Sequence, residues 1–250
     1  MRKFGLIGYP LGHSFSKKYF TKKFLSEKVE DCSYELYPLP GLDHFMPLIT
    51  DDPELCGLNV TIPYKSEIIN YIDYIDTEAF QIGAVNVLKI KRPGTGLRIH
   101  GYNSDVTGIR ETLAPWLNCS VKRALVLGTG GSSLAVCFVL KKHGIDVLQV
   151  SRTNKPGMIT YKNIDKGIIE DHKLIINTTP LGMFPDVDAK PEIDYDKLSN
   201  DHILFDLVYN PEETAFLKMG KERGCITLSG LAMLYSQAER SWEIWNDPNL

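Results

Sequence analysis

The chain has 250 residues, a formal net charge of −3, 43% hydrophobic residues and 24% charged ones, the balance of one large or two small globular domains. The slight acidity argues against a nucleic-acid surface, no apolar run reaches the length of a membrane span, and Met1-Arg-Lys-Phe-Gly5 lacks the apolar core of a secretory signal. Five scattered cysteines, Cys32, Cys56, Cys119, Cys137 and Cys225, read as reduced thiols of a cytoplasmic protein, and six histidines without ligand spacing predict no metal site.

Residues 3–8 form a short apolar strand that runs into the turn 9–12. Ser14 and Ser16 follow. Both hydroxyls can face one ligand if the loop is extended, or one of them caps a helix over 17–30. Residues 32–39 alternate as a second strand, and Leu42, Phe45, Leu48 and Ile49 mark a helical face. An apolar strand over 58–62 then carries Asn59 and Thr61 on one face. Pro63 is placed to open a helix with Lys65 in its first turn and Ile68, Ile69, Ile72 and Ile75 beyond. A cation there opposes the helix dipole, which singles Lys65 out; an exposed lysine with a snorkelling stem is the plainer alternative. The strand 84–90 includes Asn86, residues 92–96 make a hairpin turn, and 97–101 return as its partner. Asp105 is placed as the cap of a helix beginning near Val106. Polar residues thus gather after strand ends in a half-chain of alternating strands and helices, which suits a polyhydroxylated or carboxylated small molecule.

Residues 124–127 read as a strand buried on both faces. Gly128, Gly130 and Gly131 follow at once, then a helical run that stops at Gly144. Strand, glycine turn and helix aim backbone N–H groups and the positive helix end at a phosphate. Gly128 permits the tight turn and Gly130 the approach of a pyrophosphate. The third position of G-x-G-x-x-G is Ser133, so the motif is loosened, and a plain turn is the alternative. Residues 146–153 are the next strand. A site for NAD places an acid about 20 residues past the first glycine. Here the strand end reads Ser151-Arg152-Thr153-Asn154-Lys155, with no acid and two cations. That favours NADP over NAD, with an ordinary solvated basic loop as the alternative. A strand over 173–177, a loop over 178–183 at its carboxyl end, a strand over 203–209, a helix over 212–223 and a strand over 225–228 complete this half. On the final helix, 231–245, Leu234, Ala238, Trp242 and Trp245 share a core face and Gln237 lies one turn from its centre.

Taken together, these stretches resemble the shikimate dehydrogenase family. The resemblance rests on Gly8-Tyr-Pro-Leu-Gly-His-Ser-Phe-Ser16, Asn59-Val-Thr-Ile-Pro-Tyr-Lys65, Gly83-Ala-Val-Asn86 and Tyr102-Asn-Ser-Asp-Val-Thr-Gly108. It continues through the glycine loop, Ser151-Arg-Thr153, Asn177-Thr-Thr-Pro-Leu-Gly-Met183, Asp206-Leu-Val-Tyr-Asn-Pro211 with Thr214, and Gly230 through Gln237. The resemblance implies NADP-dependent interconversion of shikimate and 3-dehydroshikimate, a step towards chorismate and the aromatic amino acids. It implies two α/β domains with a cleft between them: a substrate-binding domain of 1–104 plus 231–250, and a Rossmann-like NADP-binding domain of 105–230. Lys65 and Asp105 would be the catalytic pair. Ser14, Ser16, Asn59, Thr61, Asn86, Tyr209 and Gln237 would hold the substrate. Gly128, Gly130 and Gly131 would take the pyrophosphate, Arg152, Thr153 and Lys155 would flank the 2′-phosphate, and Met183 and Gly230 would lie near the nicotinamide. The partners would be small molecules alone, with no nucleic acid and no membrane, for a monomer or homodimer.

The chain departs from the family pattern at Lys17, where proline is usual, and at Tyr19-Phe20, where His-Asn is usual. Ser104 replaces threonine, Ser151 replaces asparagine, and Leu134 stands where arginine is often seen, which removes a cation near the cofactor. Two alternatives accompany this reading: a relative that prefers quinate or uses NAD as readily as NADP, and a ligand-sensing relative without turnover.

Overall fold

In the computed structural model, which describes residues 1–11, 15–117 and 121–250, the chain divides into two units, 1–104 with 238–250, and 105–237. Unit 1 contains strands β1 (Arg2–Gly8), β2 (Cys32–Pro38), β3 (Leu55–Val60), β4 (Tyr74–Ile75), β5 (Val87–Lys91) and β6 (Arg98–Tyr102), with helices α1 (Phe15–Ser26), α2 (Phe45–Asp51) and α3 (Thr77–Ile82). They form one sheet in the order β2-β1-β3-β5-β6-β4. β1 is parallel to β2 and β3, while β5 runs antiparallel to β3 and β6.

The period of two in these strands sorts their side chains between two cores. Ile7, Leu58, Leu88 and Ile90 pack with Phe45 and Ile49 of α2. Phe4, Leu6 and Val87 pack on the other face with Phe20 and Phe24 of α1 and with Trp245 near the C-terminus. Trp245 donates its indole N–H to Leu88 O at 3.0 Å. A β-carbon on Gly57 would stand 2.3 Å from that indole nitrogen, so only glycine lets the ring lie on β3.

Unit 2 contains α4 (Asp105–Leu117), β7 (Arg123–Leu127), α5 (Gly131–Lys142), β8 (Asp146–Ser151), β9 (Ile159–Thr160), α6 (Lys166–Asp171), β10 (Leu174–Asn177), β11 (Ile203–Asp206), α7 (Ala215–Glu222) and β12 (Ile226–Leu228). The six strands are all parallel, in the order β12-β11-β10-β7-β8-β9. The first strand of the unit therefore lies in the middle and the strand order reverses between β7 and β10. In open parallel sheets the ligand crevice lies outside the strand ends at that reversal. The last helix, α8 (Gly230–Asn246), serves both units, because the division falls at Ala238 within it. The sequence places the return at 231; the structure differs because the first two turns of α8 pack within unit 2, where a β-carbon on Gly108 would meet Met233 O at 2.6 Å.

Several elements differ from the sequence reading. No α-helix follows Pro63: the chain turns, makes a short 3-10 segment at Glu67–Tyr71 and extends into β4. The Lys65 carbonyl accepts from Val85 N at 2.7 Å and so is withdrawn from any helical ladder; the helix-dipole argument for Lys65 therefore fails. Asn86 precedes β5 instead of lying within it, although its N–H and C=O bond across to Tyr102 O and Val60 N at 3.0 and 2.9 Å. β11 stops at Asp206, leaving Tyr209 in the following loop, and α7 starts at Ala215 because Thr214 caps it by accepting from Leu217 N. Asp105 is the first residue of α4, one position inside the expected cap. α1 begins at Phe15, so Ser16 lies within it, not at its cap.

Candidate active site

In unit 1, Thr61 leaves the end of β3 with its N–H on Ile7 O at 2.9 Å and its carbonyl accepting from Tyr64 N at 3.0 Å. These bonds hold the turn that carries Lys65 at the carboxyl ends of β1 and β3; Thr61 and Lys65 are both half-buried. Asn59 is also half-buried, and its amide is held at both ends. The Tyr34 hydroxyl donates to Asn59 Oδ1 at 2.8 Å, while Asn59 Nδ2 donates to Ser241 Oγ at 2.9 Å and to Asn86 O at 3.4 Å. Asn86 is buried, with Oδ1 accepting from Ser104 N at 2.7 Å and Ser104 Oγ at 3.3 Å. Ser104 Oγ in turn lies 3.3 Å from Ser241 Oγ. Burial pushes the Tyr34 phenol well above its ordinary range, so it stays a donor. Unit 1 thus holds Ser16, Asn59, Thr61, Lys65 and Asn86. Ser14 lies outside the described residues.

The departures from the family pattern take part in this frame. Lys17 Nζ pairs with Glu35 at 2.6 Å. The Tyr19 hydroxyl donates to Glu239, which also accepts from Lys23 Nζ at 2.7 Å. Phe20 stacks on Tyr34 with ring centroids 4.5 Å apart. Tyr19 and Phe20 therefore fasten α1 to α8 and to the ring that holds Asn59.

Unit 2 carries the glycine loop expected from the sequence to meet a phosphate. Gly128 has φ +119°, and a β-carbon there would stand 2.5 Å from Thr178 Oγ1. A β-carbon at Gly130 would meet nothing within 4 Å, and Gly130, as the N-cap of α5, brings no side chain to cap the helix, whose first residue is Gly131. Ser133, at the third motif position, is buried and turns its hydroxyl back to Gly130 O at 2.7 Å. Gln149 Nε2 donates to Gly128 O at 2.9 Å and to Ser133 Oγ at 3.1 Å. The sequence reading missed Gln149; a lone amide inside the apolar run Val147-Leu-Gln-Val150 was the available signal. Arg152, Thr153 and Lys155 are exposed beyond the end of β8, and Lys155 Nζ reaches Thr129 Oγ1 at 3.1 Å, beside the glycine loop. An open loop, an uncapped helix start and cations without an acid fit a dinucleotide bearing a 2′-phosphate.

The loops after β10 and β11 share one anchor. Asp206 is buried, and its carboxylate accepts from Asn177 Nδ2 at 3.0 Å, Val208 N at 3.0 Å and Thr214 Oγ1 at 2.6 Å. Asn177 Oδ1 then accepts from Thr179 N and Oγ1 at 3.0 and 2.6 Å. The loop to Met183 and the loop to Tyr209 are thereby tied to the same group. Burial pushes the Asp206 carboxyl up to about 6, against the pull of those donors. Gly230 N bonds Val208 O at 3.2 Å, and a β-carbon on Gly230 would meet Leu207 O at 2.3 Å. Met183 is exposed, Tyr209 and Gln237 are half-buried, and Asp105 is buried at the start of α4. Among the described residues no group of His, Cys, Asp and Glu could hold a metal ion, and no helix is long and apolar enough to cross a membrane.

Residues 6–88 match the model of the shikimate dehydrogenase substrate binding domain. A relative from Clostridium beijerinckii named shikimate dehydrogenase (NADP(+)) is 37% identical over 100% of this chain and 94% of its own. One from Methanococcus aeolicus with the same name is 36% identical over 96% of this chain and 90% of its own. The crystal structure of shikimate 5-dehydrogenase from Thermus thermophilus, in complex with NADP(H) and shikimate, covers 100% of this chain and 96% of that one with a TM-score of 0.84 and 29% identity.

Proposed function

Because the chain belongs to the shikimate dehydrogenase family, we propose that it interconverts shikimate and 3-dehydroshikimate with NADP, on the route to chorismate. The observation that carries this reading is the 37% identity to a NADP-dependent shikimate dehydrogenase across the whole chain. The fit of the unit 2 loop to a dinucleotide supports it independently. Lys65 and Asp105 form the catalytic pair and take the proton of the substrate 3-hydroxyl as the C–H hydride leaves the same carbon. Ser14, Ser16, Asn59, Thr61, Asn86, Tyr209 and Gln237 hold the substrate carboxylate and hydroxyls. Gly128, Gly130 and Gly131 receive the pyrophosphate on backbone N–H groups, Arg152, Thr153 and Lys155 flank the 2′-phosphate, and Met183 and Gly230 border the nicotinamide. When bound, NADP supplies the hydride acceptor. The enzyme works in the cytoplasm as a monomer or homodimer, on small molecules alone.

The test is the rise in reduced-nicotinamide absorbance with shikimate and with quinate, run in parallel with NADP and NAD. Rapid reduction of NADP by shikimate is the expected result. Equal rates with NAD would demote the basic loop, a preference for quinate would change the substrate, and binding of shikimate without turnover would make the protein a ligand sensor.

A further inference from the structure

Two of the residues assigned to the substrate, Asn59 and Asn86, belong to one hydrogen-bonded chain, and its other members are residues with no assigned role. The Tyr34 hydroxyl donates to Asn59 Oδ1 at 2.8 Å. Ser241 accepts from Asn59 Nδ2 at 2.9 Å and lies 3.3 Å from Ser104 Oγ, which bonds Asn86 Oδ1. Tyr34 is 3% exposed and Ser241 is fully buried, so water cannot replace either hydroxyl. An amide can be turned by half a rotation at little steric cost, which exchanges its donor and acceptor ends. The Asn86 carbonyl can only accept, so Nδ2 faces it and Ser241 while the Tyr34 hydroxyl donates on the other side, which leaves Asn59 a single satisfied orientation. Tyr34 is itself clamped by the Phe20 stack, and Ser241 rides on α8, which Glu239 ties to Tyr19 and Lys23.

We propose that Tyr34 and Ser241 are positioning residues for the substrate, holding the Asn59 amide in that orientation and Asn59 and Asn86 in one register. Neither touches the reacting atoms. The inference rests on the shikimate reading above and goes beyond it in assigning these two hydroxyls. Removing either lets the amide turn, which weakens the polar contacts of the substrate and leaves the cofactor loop of unit 2 untouched.

The experiment is a set of steady-state measurements on Tyr34→Phe, Ser241→Ala, Asn59→Ala and the two double variants carrying Asn59→Ala. Each hydroxyl deletion is expected to raise the KM for shikimate about five- to tenfold, the size of one net hydrogen bond, with the KM for NADP within about twofold of the parent. In the Asn59→Ala background the same deletions should change the shikimate KM by less than about twofold, since the group they act through is gone. Thermal melts accompany each variant. If Ser241→Ala does not fold, Tyr34→Phe, which removes one oxygen atom from a ring that keeps its stacking, carries the test. An unchanged shikimate KM in both folded single variants overturns the proposal, as does an equal penalty with and without Asn59. If the parent itself turns over no shikimate, the functional reading fails first, and that result is separate from any difference among the variants.

Discussion

The two units hold their site residues by opposite electrostatic means. In unit 1 the frame is neutral: two amides, a phenol and two serine hydroxyls pass hydrogen bonds from Tyr34 to Asn86. In unit 2 the loops after β10 and β11 hang on one buried carboxylate, Asp206. A neutral network is directional and does not titrate in the working range of pH. A buried carboxylate binds its donors more strongly, but desolvation makes it protonate far more readily than an exposed acid. The frame around Asn59 and Asn86 is thus indifferent to pH, and the frame around Met183 and Tyr209 is not.

The largest expected effect asks whether the reactive charge lies apart from the neutral frame of unit 1. Lys65→Ala should lower kcat by about 10²–10⁴-fold and change the shikimate KM much less. A variant that keeps its kcat and only loses affinity would make Lys65 one more member of the binding frame. Next comes the anchor of unit 2. Asp206→Ala strands the donors on Asn177, Val208 and Thr214, which should cost about 3 kcal/mol or more in urea unfolding.

The sign of its pH dependence sharpens the comparison further. The folded carboxyl titrates near 6 against 3.8 unfolded, so the native state takes up a proton first as pH falls. This group therefore destabilises the native state above about pH 6, and that cost is relieved as pH falls towards about 4, by about 3 kcal/mol in all. Urea unfolding of wild type and Asp206→Asn from about pH 7.5 to about pH 4 should show wild type gaining on the variant by that amount. The same comparison for Tyr34→Phe should give a constant difference of about 1 kcal/mol; a pH-dependent one would break the contrast between the units. Of similar size, Arg152→Ala should raise the KM for NADP about tenfold and leave NAD use unchanged. Equal losses with both cofactors would remove Arg152 from the 2′-phosphate.

Much of unit 2 is legible along the chain. The apolar run 124–127, the glycines and the following helix are local features, and the structure has β7, the loop and α5 in that place. The stretch after Pro63 is not legible in the same way. Its isoleucines carry a helical spacing, yet Val85, twenty residues on, takes the Lys65 carbonyl, and β6 pairs with β4. A local pattern of that length loses to bonds made with another part of the sheet. Tyr19 and Phe20 read only as departures from a family pattern; the structure makes them the fastening between α1 and α8.

By itself, the sequence determined the strand–loop–helix order, the acid-free end of β8 and the residues that mark the family, because each depends on neighbours within a few positions. Only the tertiary structure decided which side chains hold those residues. Tyr34 and Ser241 stand 25 and 182 residues from Asn59, and Asp206 meets Asn177 across 29. Contacts at such separations leave no periodic trace in a chain. They arise from strand order and helix docking, which bring a phenol from β2 and a hydroxyl from α8 to the two ends of one amide.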